Sequence, residues 1–550
     1  MIPLNVKSNY TALAGVPTVG ELVERAKREG ARSAALADLD GMHGLIQFYK
    51  KAREAGVKPI LGATIDEPND PGTAVTFLVR NRRGYSDLCR IVTSRKLKDD
   101  FSLFNLMREP TPNLVALTSS RELLERTPPR RNVYAELVPT RRQRRAAREL
   151  HQFAVQRGIP FVASNPVYFL EKEDFELHRV LTAIRTRNVV PNVPDEDLVD
   201  PDYHHRSSER LARIWRNLPE ARLAAERIER EAAVDLELGK LKFPAFPLPE
   251  GETAYSYLWR LAYDGLARRY ESPPRAVKDR LEYELEVICE MGYADYFLVV
   301  WDLVREAKRR GMPTVGRGSA ANSLVSYCLE FTDVDPIKYD LYFERFLNRG
   351  RATPPDVDLD FSWKDRDDIV KYVFEKYGYD RVAMISTTIT FRARSAFRET
   401  AKAFGVAEEE IAEYSKYIPW TSARNLPDIA SLFPETKSFK FDREPWRTIA
   451  ATAARLAEYP RHLSVHPGGV VVSPTPIVDY VALEYAKNKG VGLIVTQPDM
   501  YAVEDLGLIK IDLLSQRSLG VLRDSLDQLA EEERDKHSTP RPENINVVPR

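Results

Sequence analysis

Apolar residues recur along the first 230 positions in two alternating rhythms. Leu22, Val23 and Ala26 stand at helical spacing and predict an amphipathic helix over residues 18–28, with Thr18 and Glu21 at the separation of a capping box. Residues 34–37, Ala-Ala-Leu-Ala, form the short continuous apolar run of a buried strand. The helical rhythm returns over 45–54 and the strand rhythm over 59–62. Further strand-like runs at 114–117, 133–137 and 160–163 extend the series. Strands separated by helices predict βα units around a mostly parallel sheet or barrel.

The run Pro244-Ala245-Phe246-Pro247-Leu248-Pro249-Glu250-Gly251 interrupts this order and reads as a linker, because proline continues neither a helix nor a central strand. Residues 254–270 and 277–310 read as helices broken at Ser272-Pro273-Pro274. A helical, polar stretch occupies 390 to about 459, and the runs Val470-Val471-Val472 and Leu493-Ile494-Val495 predict buried strands. Beyond Gln528 the chain is charged and then proline-bearing, which predicts poor order. No internal repeat interrupts the series.

Composition adds bounds rather than an identity. A length of 550 residues suits three or four domains at ~150 residues each. Lys plus Arg and Asp plus Glu both total 81, so any surface for nucleic acid must come from local segregation of charge. Cys89, Cys289 and Cys328 lack metal-ligand spacing and suit a reducing compartment. The N-terminus shows no apolar signal segment, and no apolar run reaches the ~18 residues of a membrane span. The expectation is a soluble cytoplasmic protein.

Candidate chemistry concentrates in Pro355-Asp356-Val357-Asp358-Leu359-Asp360-Phe361. In an extended strand Asp356, Asp358 and Asp360 share one face and the intervening apolar residues the other. Three carboxylates on one face repel one another unless a cation neutralises them, and Mg²⁺ takes one or two carboxylates plus substrate phosphates. The same alternation also suits a solvated acidic edge strand, and the residues alone leave both readings open. Upstream, Gly316-Arg317-Gly318-Ser319-Ala320-Ala321-Asn322-Ser323 precedes a helix. Small residues let backbone N–H groups approach a phosphate, a helix start adds a favourable partial charge, and Arg317 offers a two-pronged contact. Without a Gly-Lys-Ser/Thr ending it is not a Walker A loop. In Gly507-Leu508-Ile509-Lys510-Ile511-Asp512, Lys510 and Asp512 share a strand face, which taken alone is better explained by a surface ion pair.

At these elements the chain resembles the C-family DNA polymerases, the alpha subunit of bacterial DNA polymerase III. The similarity runs from Met291-Gly292-Tyr293-Ala294-Asp295-Tyr296-Phe297 through Gly316-Arg317-Gly318-Ser319, Thr332-Asp333-Val334-Asp335-Pro336 and Phe343-Glu344-Arg345-Phe346 to the aspartate strand. It continues through Arg461-His462-Leu463-Ser464-Val465-His466-Pro467-Gly468-Gly469 to Lys510-Ile511-Asp512. The resemblance implies an α/β and α+β multidomain chain: a PHP-like distorted α/β barrel, then a polymerase-β-like nucleotidyltransferase palm with a helical thumb insertion. The corresponding spans are 1–230 for the PHP-like domain, 231–389 and 468–517 for the palm, and 390–467 for the thumb. Residues 518–550 open a fingers domain or form a tail. It further implies a template-directed DNA polymerase, with Asp358, Asp360 and Asp512 as catalytic carboxylates binding two Mg²⁺ ions about 4 Å apart. Arg317, Gly318, Ser319 and Lys510 correspond to nucleotide contacts, whereas Asp356 corresponds to a structural residue. Arg392, Arg394, Arg398, Arg461 and His462 correspond to contacts on primer–template DNA. His462 and His466, four apart, suit zinc on a helix; the resemblance places them at a turn near the active site instead. Partners implied are primer–template DNA, dNTPs, and a sliding clamp or other replisome or repair subunits through segments beyond these.

Departures from the family pattern qualify the expectation. Asn5 and Lys7 stand where the PHP first strand carries a His-x-His pair, and an ammonium repels a metal. Ala37-Asp38-Leu39-Asp40, Thr64 and Asn165-Pro166-Val167-Tyr168 likewise replace ligand motifs, leaving Asp38 and His178. No metal is therefore expected in this domain, and His204 and His205 read as surface residues. Family members continue into fingers, which predicts an incomplete machine whose alternative is a DNA-binding or assembly subunit. Asn322 and Ser515-Gln516-Arg517 lean towards an error-prone-type paralogue. The basic run Arg141-Arg142-Gln143-Arg144-Arg145 with Arg148 reads as a solvated helix face or a template contact.

Overall fold

The computed structural model describes residues 1–128, 130–350, 355, 357–437, 441, 443–486 and 493–538, and the structural statements below concern these. The chain divides into two compact units, one of Met1–Lys240, Met384–His466 and Pro476–Gly507, the other of Leu241–Ala383, Pro467–Thr475 and Leu508–Arg550.

The first unit opens with the predicted helix, Val19–Arg28. Thr18 accepts from the Glu21 N–H at 3.2 Å, and the Glu21 carboxylate accepts from the Thr18 N–H at 2.8 Å. Six strands follow: β1 (Ser33–Leu39), β2 (Lys58–Glu67), β3 (Asp70–Val79), β4 (Leu114–Thr118), β5 (Val133–Leu137) and β6 (Phe161–Ala163), joined in sequence order in one sheet. The mostly parallel expectation holds for β1–β2, β4–β5 and β5–β6 and fails only at β3, which runs antiparallel to β2 and β4; Pro68-Asn69 is a turn too short for a crossover between β2 and β3. The sheet curls into a half-barrel around the segment at Val6. Val6 accepts from the Ala37 N–H of β1 at 2.7 Å, while Lys7 N–H donates to the carbonyl of Val167, beyond β6, at 2.8 Å.

Segment 390–459 is helical as expected, with helices Ala393–Ala403, Glu408–Ser415 and Trp446–Arg455. It shares one apolar core with the N-terminal residues. Phe397, Ile411 and Trp446 bury in the same cluster as Val16, Phe169 and Leu181. Also in this unit are most of β9 (Val382–Thr390) and the start of β10 (Pro460–Val472). β11 (Leu483–Tyr485) and β12 (Ile494–Asp499) complete it, with β12 parallel to β9 and antiparallel to β11.

In the second unit the linker at 244–251 is irregular yet anchored: Phe246 is buried, and its N–H donates to Asp295 at 2.9 Å. Helix Ala254–Arg269 follows. The single long helix expected over 277–310 is two, Arg275–Glu290 and Ala294–Arg309, parted at Gly292, whose φ of 77° ends the first. The unit's sheet comprises the end of β10, then β13 (Lys510–Gln516), β8 (Asp358–Ser362) and β7 (Thr314–Arg317) at the far edge. The tail expected to be poorly ordered is helical from Arg517 to Ser538; residues 539–550 lie outside the described residues.

Candidate active site on the second sheet

Register assembles the carboxylates. β8 and β13 run parallel with Asp358 opposite Asp512 and Leu359 opposite Leu513. Neighbouring strands in register present paired residues on one face, so Asp358, Asp360 and Asp512 share a side. Val357, Leu359, Phe361, Ile511 and Leu513 are buried on the other and lock that register, since a one-residue slip would expose all of them. The predicted alternation holds for Asp358 and Asp360; Asp356 lies outside the described residues.

Two cations stand on the same face. Arg317, opposite Asp358 on β7, places Nε 3.8 Å from Asp358 Oδ2 and 3.5 Å from Asp360 Oδ1. Lys510 Nζ lies 2.9 Å from Asp512 Oδ2. On the other flank Gly469 faces Asp512 across the antiparallel β10, so that position adds no side chain of its own beside the carboxylate. A Cβ on Gly468 would sit 2.6 Å from Leu514 Cδ2 and 3.1 Å from the Leu513 carbonyl oxygen.

The glycine loop follows β7 directly. A Cβ on Gly316 would lie 2.1 Å from the Phe331 carbonyl, and Gly318 takes φ +71° with its Cβ position 3.8 Å from Asp358 Oδ2. Both glycines are thus demanded by backbone geometry. The expected helix start is weaker than the sequence suggests. Residues Gly318–Asn322 form a 3-10 turn, and the helix beyond is only Leu324–Cys328, capped by its own Ser323 at 3.1 Å. Ser319 is partly exposed, with its carbonyl accepting from Asn322 Nδ2 at 3.0 Å.

Three supports escaped the sequence reading. Glu284, fully buried, accepts from Arg280 Nε at 2.6 Å, Ser323 Oγ at 2.8 Å and the Val325 N–H at 3.1 Å, tying down the loop's far end. Helical periodicity flags it, because Val277, Leu281, Glu284, Leu285 and Ile288 form one apolar face. Tyr296 Oη accepts from the Val357 N–H at 3.2 Å and holds the entry to β8. Arg366 bridges the carbonyls of Leu513 and Pro467, each at 3.1 Å, clamping β13 to β10.

For a metal, the donor set is three hard carboxylates, and Asp360 Oδ1 is buried without a hydrogen bond among the described residues. Among the described residues no group of three or more His, Cys, Asp or Glu side chains converges there closely enough to cage an ion. The site therefore fits a cation that takes one or two carboxylates and completes its shell with water and phosphate oxygens, as magnesium does.

Within the first unit, Arg392, Arg394, Arg398 and Arg461 line a groove of about 490 Å³ beside Trp420. Arg392 stands 5.7 Å from the Trp420 ring, whereas Arg398 pairs with Glu408 at 3.1 Å and Arg461 with Glu399 at 3.4 Å. His462 is exposed on β10 outside that groove. Residues 460–472 are one strand, so neither the helical pairing of His462 with His466 nor the expected turn is present.

In the half-barrel, Lys7 is 1% exposed and donates to Asn5 Oδ1 at 2.6 Å, to the Ala37 carbonyl and to Thr64 Oγ1. Burial pushes its ammonium down to about 8, against the pull of Asp38 and Glu136. Asp38 accepts from the Ser8 N–H and hydroxyl and from Thr11 Oγ1 at 2.6–2.8 Å. His178 bridges two backbone groups: Nδ1 lies 2.8 Å from the Ala14 carbonyl, and Nε2 accepts from the Val199 N–H at 3.2 Å with Thr182 Oγ1 at 3.4 Å. Burial pushes its imidazole down to about 4. The surface reading of His204 is corrected too: the side chain is buried, while the partly buried His205 pairs with Glu29 at 3.0 Å.

Comparison with known proteins matches residues 256–515 to the bacterial DNA polymerase III alpha NTPase domain and residues 3–134 to the PHP domain. DNA polymerase III subunit alpha of Bacillus subtilis is 34% identical over 558 residues, covering 97% of this chain and 50% of the relative. The chain carries a PHP domain and a DNA polymerase III alpha NTPase domain. A second relative, the error-prone DNA polymerase of Symbiobacterium thermophilum, is 33% identical over 567 residues, covering 96% of this chain and 52% of the relative. The chain spans about half the length of the curated relatives it matches. In these terms the half-barrel is the PHP domain and the second sheet belongs to the nucleotidyltransferase-type domain. Among the described residues no helix is long and apolar enough to cross a membrane.

Proposed function

We propose that the second sheet is the palm of a template-directed DNA polymerase that transfers a nucleotidyl group from a dNTP to a primer 3′-hydroxyl. The observation that carries this reading is the pairing of Asp512 with Asp358, one step from Asp360 and below Gly318, on one sheet face. Asp358, Asp360 and Asp512 would hold two Mg²⁺ ions, which lower the barrier by activating the hydroxyl and balancing charge on the leaving pyrophosphate. The chain's own residues do the positioning. The backbone at Gly318 and Ser319, with Arg317 and Lys510, faces the triphosphate with donors and positive charge, and Lys510 holds Asp512 in place. Arg392, Arg394, Arg398 and Arg461 take primer–template phosphates, with His462 beside them, and the PHP domain serves as a metal-free scaffold. A replisome clamp and its associated subunits are the proposed wider partners.

A second reading is a DNA-binding subunit that retains the palm without catalysis. It is favoured by the two cations already seated on the carboxylates. Primer extension in Mg²⁺ by the protein and by Asp358→Asn separates the two. The polymerase reading predicts extension that falls at least about a thousandfold in the variant. Equal extension by both refutes the catalytic assignment. No extension by either, with primer–template binding retained, establishes the second reading.

A further inference from the structure

A cleft of about 760 Å³ lies in the first unit, lined by residues other than those of the groove beside Trp420 and of the buried Lys7 cluster. Helix Arg144–Arg157, the chain after β6 and residues 202–218 form its walls. Six cationic side chains line it, Arg141, Arg144, Arg148, Lys172, Arg206 and Arg210, against a single carboxylate, Asp202. Asp202 is already engaged, accepting from the Arg141 N–H at 3.1 Å and pairing with Arg206 at 3.6 Å. Arg144, Arg148, Arg210 and Lys172 have no ion pair among the described residues. This contrasts with the neighbouring Arg145, which pairs with Glu149 at 2.8 Å. So the basic run is not simply a solvated face: one side of it is neutralised along its own helix, and the other side, facing the cleft, is not.

Two buried nitrogens point to the missing partner. Trp215 and His204, 5% and 6% exposed, line the same cleft, and their Nε1 and Nδ1 atoms are buried behind its surface with no hydrogen-bond partner among the described residues. An indole N–H only donates, so a buried one costs about 1–3 kcal/mol until an acceptor meets it. Burial and the adjacent Arg206 hold the His204 imidazole down at about 4, so it adds no seventh cation. A metal is disfavoured by the surrounding positive charge, and an apolar ligand would leave the guanidinium groups unmatched. Guanidinium forks and a lone N–H donor together match phosphoryl oxygens. The volume exceeds what one phosphate needs.

We propose that this cleft binds a ligand carrying several phosphoryl groups, either a free nucleotide-like polyphosphate or a phosphodiester strand. The test is calorimetric titration of inorganic tripolyphosphate, without divalent cation, into the whole chain. Saturable binding is expected, weakened at least tenfold by the double charge reversal Arg148→Glu with Arg210→Glu and retained by Arg145→Glu, on the same helix but outside the cleft lining. Trp215→Phe, which keeps an aromatic side chain and the charge balance, should weaken it about tenfold by deleting one N–H. Competition by single-stranded oligodeoxythymidine identifies a phosphodiester strand as the source, and its failure to compete identifies a free polyphosphate. No binding, binding indifferent to the cleft variants, or equal binding of polyglutamate overturns the proposal.

Discussion

Lys7 shows how much one substitution reorganises. In the half-barrel this lysine is a buried cation supplied by the chain itself, and its three acceptors are an amide, a carbonyl and a hydroxyl. Its ammonium titrates near 8 when folded and near 10.5 when free. Between those values the unfolded chain binds the extra proton, so rising pH stabilises the fold through this group. The stability of the wild-type protein relative to Lys7→Met should therefore increase from pH 8 to pH 10, by up to about 1.4 kcal/mol per unit. Denaturant melts of both proteins across that range measure it, and a pH-independent difference would show that Lys7 does not titrate there. His178 carries the same lesson at no metal cost: it persists as a neutral ring bridging two backbone groups.

At the scale of elements, the glycine loop depends on residues that do not touch the reaction. Glu284 satisfies a hydroxyl, a backbone N–H and a guanidinium in a fully buried place. Glu284→Gln leaves Arg280 short of its counter-charge and should destabilise the second unit by about 3 kcal/mol. A lowered denaturation midpoint in the variant, partly restored when Arg280→Met is added, is the expected outcome; an unchanged midpoint would remove Glu284 from the account. Much of the element pattern was legible from the chain. The Thr18 capping box, the strand at 133–137 and the Asp358/Asp360 alternation follow from local periodicity. Less was legible where partners are distant. β3 was missed because Pro71 and Gly72 dilute its β-branched run, and the pairing of Asp512 with Asp358 is a register that no local pattern specifies. Burial of Glu284 and His204 was readable only through the faces on which they lie.

For the whole molecule, the division into units does not follow the order of the chain. Residues 384–466 pack their core with the PHP domain, while Asp358 and Asp512, separated by more than 150 residues of sequence, become neighbours in the other unit. Local periodicity carries no information on such a crossing, whereas the family resemblance does. The central claim is that Asp358, Asp360 and Asp512 form one divalent-cation site completed by nucleotide phosphates, and that the PHP domain holds none. Titration of Mn²⁺ followed by electron paramagnetic resonance, with and without dNTP, tests it most directly. The account predicts Mn²⁺ binding that tightens when dNTP is present and is lost in both Asp358→Asn and Asp512→Asn. Stoichiometric Mn²⁺ retained in those two variants would contradict it.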